Sequence, residues 1–157
     1  MDLHTKAMDD IELHVKTYDE LTKEELYMLL RQRAATFIVG QHCVYQDLDE
    51  QDQRAIHLWL TAGGRLVAMC RICPMGTKLA EVSIGRVIAV EEGRGYGRAI
   101  MQAAIETAKA RLPRFDKIKI ESQQQAQGFY ERLGFVATSE PYMMEERMHL
   151  DMELRIN

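Results

Sequence analysis

Three glycines at alternate positions, Gly93, Gly95 and Gly97, are interleaved with Arg94, Tyr96 and Arg98. They follow the apolar run Val87-Ile88-Ala89-Val90 and precede a segment whose Ile100, Ala104, Ile105, Ala108 and Leu112 keep one helical face until Pro113. A strand, a glycine turn and a helix N-terminus in that order make an anion site. The first N–H groups of a helix have no intrahelical partner, and the macrodipole adds partial positive charge. Phosphate is the expected ligand, with Arg94 and Arg98 adding charge beside the turn. A side chain at Gly95 or Gly97 would hold a ligand oxygen away from the backbone. Two nucleotide motifs do not fit. Arg98-Ala99-Ile100 stands where a P-loop needs Gly-Lys-Ser/Thr, and Ile100 stands where a Rossmann fingerprint starting at Gly95 needs glycine. Neither ATP nor NAD is expected.

Other residues could carry acid–base chemistry. Tyr130 lies on a short helical segment, Glu121 closes a strand, His57 and His149 sit on strands, and Asp47 and Asp49 fall in a polar connector. The connector acids read as a solvated stretch or as a weak attractor for a cationic ligand at a cleft mouth. Cys70-Arg71-Ile72-Cys73 lacks a second ligand pair, and strand alternation puts its cysteines on opposite faces. Asp47-Leu48-Asp49 opens like a calcium loop, but Asp52 replaces the glycine and Leu58 the final glutamate. No metal is expected. Met143, Met144, Met148 and Met152 read as core or rim fillers, or as the lining of an apolar pocket.

The elements that position these groups begin with an alternating strand, Ile11 to Thr17. Thr22-Lys23-Glu24-Glu25 is a capping box opening a helix expected to end near Val39 or Gly40. After the Gln41 to Arg54 connector, Ala55 to Thr61 and Arg65 to Cys73 flank Ala62-Gly63-Gly64 as a hairpin. Glu81 to Val90 is a strand whose alternation breaks at Gly85-Arg86, which predicts a bulge. Lys117 to Glu121 is a strand, Gln124 to Leu133 a helix capped by Gly134, and Phe135 opens another strand. Leu150, Met152, Leu154 and Ile156 mark the last strand, whose free edge would allow a homodimer. Antiparallel strands leading into β-α-β-α-β make a mixed α/β (α+β) fold with one partly parallel sheet flanked by helices.

At 157 residues the chain is expected to form one domain, 1–157. Its 46% hydrophobic and 28% charged residues are globular averages, and a net charge of −4 argues against nucleic-acid binding. Three cysteines, an odd and sparse number, fit reduced thiols. The first residues carry no charged and apolar leader, and no long apolar run follows, so a cytoplasmic location away from membranes is expected.

Arg94-Gly95-Tyr96-Gly97-Arg98-Ala99 resembles the R/Q-x-x-G-x-G/A turn of the GNAT N-acetyltransferase superfamily. Ala126-Gln127-Gly128-Phe129-Tyr130-Glu131-Arg132-Leu133-Gly134-Phe135 resembles that family's A-x-x-F-Y-x-x-x-G-F helix and strand. The resemblance covers nearly the whole chain and gives it a GNAT-like fold. A narrower likeness is to the ElaA-like branch. It rests on Leu26-Tyr27-x-Leu29-Leu30-x-x-Arg33, Phe37-x-Val39-x-Gln41-x-Cys43-x-Tyr45-Gln46-Asp47-x-Asp49, His57 and Ile84-Gly85-Arg86-Val87. Where that branch usually has glutamate before the glutamine, this chain has Gly40.

The resemblance implies that acetyl-CoA is the co-substrate. Its pyrophosphate would lie on the amides from Gly95 to Ala99 and its pantetheine arm along Ile88, Ala89 and Val90, with Gln123 and Phe129 nearby. It makes Tyr130 the proton donor to the CoA thiolate and an amide near Val90 the oxyanion donor. The base is left among Glu121, His57 and His149, with Asp47 and Asp49 behind them. Arg33, Gln41, Tyr45, Asp47, His57 and His149 are candidates to meet a small-molecule or peptide amine. The expected reaction is direct N-acetyl transfer to a primary amine, since neither motif contains a cysteine nucleophile. The rival expectation is a non-catalytic acyl-CoA-binding sensor or partner module.

Overall fold

The spine of the computed structural model, which describes residues 10–156, is an eight-stranded sheet. Its strands are β1 (Ile11–Thr17), β2 (Ile56–Ala62), β3 (Arg65–Cys73), β4 (Val82–Ala89), β5 (Lys117–Gln123), β6 (Val136–Ala137), β7 (Tyr142–Met144) and β8 (Arg147–Arg155). Their spatial order is β1-β2-β3-β4-β5-β8-β6, with β7 also paired to β8. Only β4 and β5 run parallel. Gly63 and Gly64 join β2 to β3 with φ of 57° and 80°, the left-handed pair that a two-residue hairpin needs.

Helix α1 (Lys23–Arg33) starts on the expected capping box: Glu25 N–H donates to Thr22 Oγ1 at 3.1 Å, and Thr22 N–H donates to Glu25 Oε1 at 2.9 Å. It continues through Ala34–Val39 as a π-helix, which ends where Gly40 N–H donates to Ala35 O at 2.8 Å. A Cβ on Gly40 would stand 2.8 and 2.9 Å from the carbonyl oxygens of Thr36 and Ala35, so this turn accepts only glycine without moving.

Helix α2 (Tyr96–Arg111) lays Ile100, Met101, Ala104, Ile105 and Ala108 on one sheet face, against Leu58, Val67, Ile72, Ile118 and Met152. Each large side chain buried there contributes about 1.5–3 kcal/mol. The other face packs Trp59, Met69 and Ile88 under Leu29 and Phe37 of the first helical run. A short helix α3 (Gln127–Arg132) carries Tyr130 into the first core. Among the described residues no helix is long and apolar enough to cross a membrane.

Two expectations change, and one strand was not anticipated. β1 is an edge strand, and Ile11 and Leu13 remain 44% and 47% exposed, so only Val15 of its apolar side meets the core. The β7–β8 hairpin has no sequence signal, because its left-handed turn is made by Glu145 and Glu146 rather than glycine or asparagine. β8 is flanked by β5 on one side and by β6 and β7 on the other, so it is not the free edge on which a homodimer was expected.

Candidate active site

The predicted bulge is present and opens the sheet. Arg71 pairs with Gly85 and Met69 with Ile88, so two steps along β3 match three along β4, and Arg86 takes a left-handed φ of 53°. The parallel ladder to β5 stops after Val82–Ile118 and Ser83–Lys119. Beyond it the two strands diverge around a cleft of about 440 Å³. Its walls are β4 from Ile84 to Ala89, β5 from Ile120 to Gln123, Tyr130, the connector residues Gln41, Cys43 and Tyr45, and the β7–β8 hairpin with Arg147 and His149. Of the residues anticipated for cofactor and acceptor, Ile88, Ala89, Glu121, Gln123, Tyr130, Gln41, Tyr45 and His149 are brought together here.

Val90 is not among them. Its N–H donates to Val67 O at 2.8 Å, toward β3. Alternation along the strand turns the N–H of Ala89 the other way, into the cleft, and the amide anticipated near Val90 is therefore that of Ala89.

The turn behaves as its glycines predict. Gly93 and Gly95 have φ of 76° and 79°, and α2 begins at Tyr96. Ala99 N–H already donates to Gly95 O at 3.0 Å, which removes Ala99 from the cradle and leaves the N–H groups of Tyr96, Gly97 and Arg98 for an anion. The Tyr96 side chain is buried in the core, so only its backbone faces the turn, while Arg94 and Arg98 flank it in solvent. A Cβ on Gly97 would touch Ala89 Cβ and the Phe129 ring at 3.6 Å, ordinary contact distances.

Tyr130 is 9% exposed and lies edge-on to Phe129 and Phe135, with ring centroids 5.0 and 5.8 Å away. No described residue hydrogen-bonds its hydroxyl, which belongs to the cleft wall. Burial, assisted by Cys70, pushes its pKa well above the usual phenol value and keeps the proton on. Across the cleft, His149 Nδ1 lies 2.8 Å from Arg147 O. A carbonyl can only accept, so Nδ1 is the donor, and Nε2 is the ring nitrogen left for another partner. The ring stacks on Tyr142, whose hydroxyl donates to Asp151 Oδ1 at 2.6 Å. Burial, Asp151 and Glu121 hold Tyr142 protonated. Gln123 and Gln41 exchange amide hydrogen bonds at 3.2 and 3.4 Å, tying the connector across the cleft to β5.

A strand that leaves its parallel neighbour beside a glycine turn and an unpartnered tyrosine matches a known domain. The family described as acetyltransferase (GNAT) domain matches residues 17–156. The chain belongs to the GNAT acetyltransferase family. It falls in the ElaA-like branch: Protein ElaA of Escherichia coli is 37% identical over 142 residues, covering 86% of this chain and 90% of that protein. A UPF0039 protein of Schizosaccharomyces pombe is 35% identical over 152 residues, covering 95% of this chain and 100% of that one. The crystal structure of Escherichia coli ElaA superposes with a TM-score of 0.84 at 33% identity, covering 92% of this chain and 99% of that chain. An acyl-CoA N-acyltransferase from Pseudomonas aeruginosa gives 0.82 at 31% identity, with the same coverage of 92% and 99%.

In this GNAT domain three acids of the connector, Asp47, Asp49 and Asp52, turn inward to arginines while residues between them stay exposed. Arg33 donates from Nε to Asp47 at 2.9 Å, from Nη1 to Asp52 at 2.7 Å, and from Nη2 to Asp47 O at 3.0 Å. Arg71 grips Asp49 at 2.7 and 2.9 Å and Asp52 at 2.9 Å, and Arg86 reaches Asp47 at 2.7 Å. Arg33 and Asp47, anticipated as acceptor contacts, are therefore buried partners of each other and are not on the cleft wall. Asp49 is likewise spoken for by Arg71. Burial pushes the Asp49 and Asp52 carboxyls up, but the bonds and charges of Arg71, Arg33 and Arg86 outweigh it and hold both below the usual carboxylate range. His57 also leaves the list: it is buried behind the cleft, Nε2 donates to Asp52 O at 2.9 Å, and burial lowers its pKa.

Sequence reasoning missed Arg71, Lys78, Arg86 and Arg147 on the cleft wall. One signal was available: Arg71 interrupts the buried run Val67-Ala68-Met69-Cys70, and a charge inside such a strand demands a buried partner. Cys43 and Cys73 also reach the wall, although neither motif contains a cysteine. The Cys43 thiol donates to Glu145 O at 2.8 Å, and burial raises the Cys73 pKa. Met144 lines the cleft and Met152 is core, whereas Met143 and Met148 are exposed.

Proposed function

We propose that this chain is an acetyl-CoA-dependent N-acetyltransferase passing the acetyl group directly to a primary amine within a ternary complex. The observation that carries this reading is the divergence of β4 from β5 after Ser83, which leaves strand amides facing a cleft that also holds the free Tyr130 hydroxyl. An amide-rich pantetheine arm can pair with such a strand edge, and its pyrophosphate can take the N–H groups of Tyr96, Gly97 and Arg98 beside Arg94.

The amine must be neutral to attack. For a lysine-like amine of pKa ~10.4 that costs roughly 4.6 kcal/mol at pH 7. Glu121 and His149, on the neighbouring strands β5 and β8 of the cleft wall, are the groups assigned to take the proton, directly or through one water. As the amine nitrogen bonds to the thioester carbonyl carbon, the oxyanion accepts from the Ala89 N–H. The C–S bond then breaks, and Tyr130 protonates the departing thiolate. Cys73, whose pKa burial raises, and Cys43, whose thiol is engaged with Glu145 O, support direct transfer over an acetyl-cysteine intermediate.

The test is thiol release from acetyl-CoA across a panel of amines. Tyr130→Phe is expected to lower kcat roughly 100-fold with little change in the KM for acetyl-CoA. Equal turnover by the variant from about pH 6 to 9 removes Tyr130 from the mechanism. Binding of acetyl-CoA with no amine raising the rate above hydrolysis replaces the enzyme with an acyl-CoA-binding module.

A further inference from the structure

The acceptor side of the cleft carries positive charge that the protein does not fully match. Arg71, Lys78 and Arg86 reach the wall from β3, β4 and the loop between them, while the acids that pair with them, Asp47, Asp49 and Asp52, stand behind it. Arg33 draws on the same acids, through Asp47 at 2.9 Å and Asp52 at 2.7 Å. Four cations therefore share three carboxylates. From the opposite wall comes Arg147, which has no carboxylate within ion-pair distance among the described residues. Its Nη2 donates only to Gln41 O, at 3.2 Å. Arg71 Nε is the one buried side-chain nitrogen or oxygen among the described residues without a hydrogen-bond partner, although the side chain is 98% buried. The acids on the wall are distributed differently: Glu92 lies at the turn, Glu145 at the exposed hairpin tip, and Glu121 on β5, on the strand that pairs with His149.

We infer that the acceptor is an amine whose own skeleton carries an anionic group, a carboxylate or a phosphate. The anion is held between Arg147 and the Lys78, Arg71 and Arg86 edge, and the amine is directed to Glu121 and His149. An oxyanion placed in the cleft supplies the charge that the cluster lacks and accepts from donors aimed at it. A diamine brings a second cation to an edge where four cations already share three carboxylates. The connector acids, spent on arginines, offer such a diamine nothing. The inference rests on the N-acetyltransferase reading and narrows its substrate class.

The test compares L-leucine with L-leucinamide, L-lysine with L-lysinamide, phosphoethanolamine and putrescine as acceptors. Each carboxamide has the less basic α-amine, so amine protonation alone would favour it, and a preference for the acid cannot come from that source. The expected kcat/KM for the better of the carboxylate and phosphate arms exceeds that of the amides and the diamine by about tenfold or more, the effect of one charge-assisted hydrogen bond. Which of the two arms is higher identifies the anion. Arg147→Gln, and independently Lys78→Gln at an exposed position, should collapse the acid-to-amide ratio, and Arg147→Lys should restore part of it.

Calorimetric binding of the same compounds to the CoA-loaded protein separates this inference from the reading beneath it. Selective binding of the anionic forms, lost in Arg147→Gln, supports the inference even where no amine is acetylated. Acetylation of amides and putrescine at rates equal to the acids overturns it while leaving the acetyltransferase reading intact. Absence of binding by any anionic form overturns it as well.

Discussion

Arg33→Met is the sharpest test of how the connector is held. The substitution removes three hydrogen bonds, of 2.9, 2.7 and 3.0 Å, from a side chain that is 2% exposed. Asp47 keeps Arg86 and the Tyr45 hydroxyl, and Asp52 keeps Arg71, so neither carboxylate is wholly orphaned. Breaking a buried pair by removing one partner costs about 3–5 kcal/mol. The surviving partners place the expected loss at the lower end, about 3 kcal/mol, or roughly 6–12 °C in Tm for a chain of this size. Urea unfolding at neutral pH measures it. The pH dependence has a defined sign. Asp52, a partner of Arg33, has a folded pKa below the ordinary 3.8, so its contribution is complete above that value and is lost as pH falls through the folded one. Protonated carboxyls no longer need a guanidinium, and the difference between parent and variant should shrink as acid is added below about pH 4. A loss under about 1 kcal/mol at neutral pH, or a difference that grows in acid, would refute this account of the connector.

Gly97→Ala should fold normally, because its Cβ meets Ala89 and Phe129 at an ordinary 3.6 Å, yet raise the KM for acetyl-CoA roughly tenfold by holding phosphate off the turn; unchanged KM contradicts that placement. Gly40→Glu, restoring the residue usual in the branch, should cost about 1–3 kcal/mol, since its Cβ would stand 2.8 Å from Thr36 O; a urea midpoint equal to the parent's shows that the π-helix relaxes freely. His57 is buried with its pKa lowered from 6.5, so its neutral form stabilises the fold above that value and the contribution fades as pH falls toward the folded pKa; His57→Gln should flatten the stability slope below about pH 6.5, and parallel slopes would remove His57 as its source.

Much of the scaffold was legible in residue order because its causes are local. The capping box at Thr22, the Gly63-Gly64 hairpin, the glycine turn before α2 and the break in alternation at Gly85-Arg86 each report backbone geometry that neighbouring residues enforce. Tyr130 was legible through the likeness of its motif and Glu121 as part of a strand, which runs on to Gln123, and the structure puts both on one cleft. The β7–β8 hairpin was not, because Glu145 and Glu146 hold left-handed conformations for which their types give no cue.

The sequence by itself determined the turn and strand on which a phosphate-bearing arm can lie, because those depend on glycine φ values and on unpaired amides a few residues apart. Only the tertiary structure decided which charges face the cleft. Arg33, Arg71 and Arg86 come from three separate elements to Asp47, Asp49 and Asp52, which lie up to 39 residues from them along the chain. No local spacing records that meeting, since a carboxylate in a polar connector looks the same whether it faces water or a buried guanidinium. Whether those acids attract an amine or are consumed within the protein is settled by burial, which leaves ion pairing as the favourable way to keep a charge away from solvent.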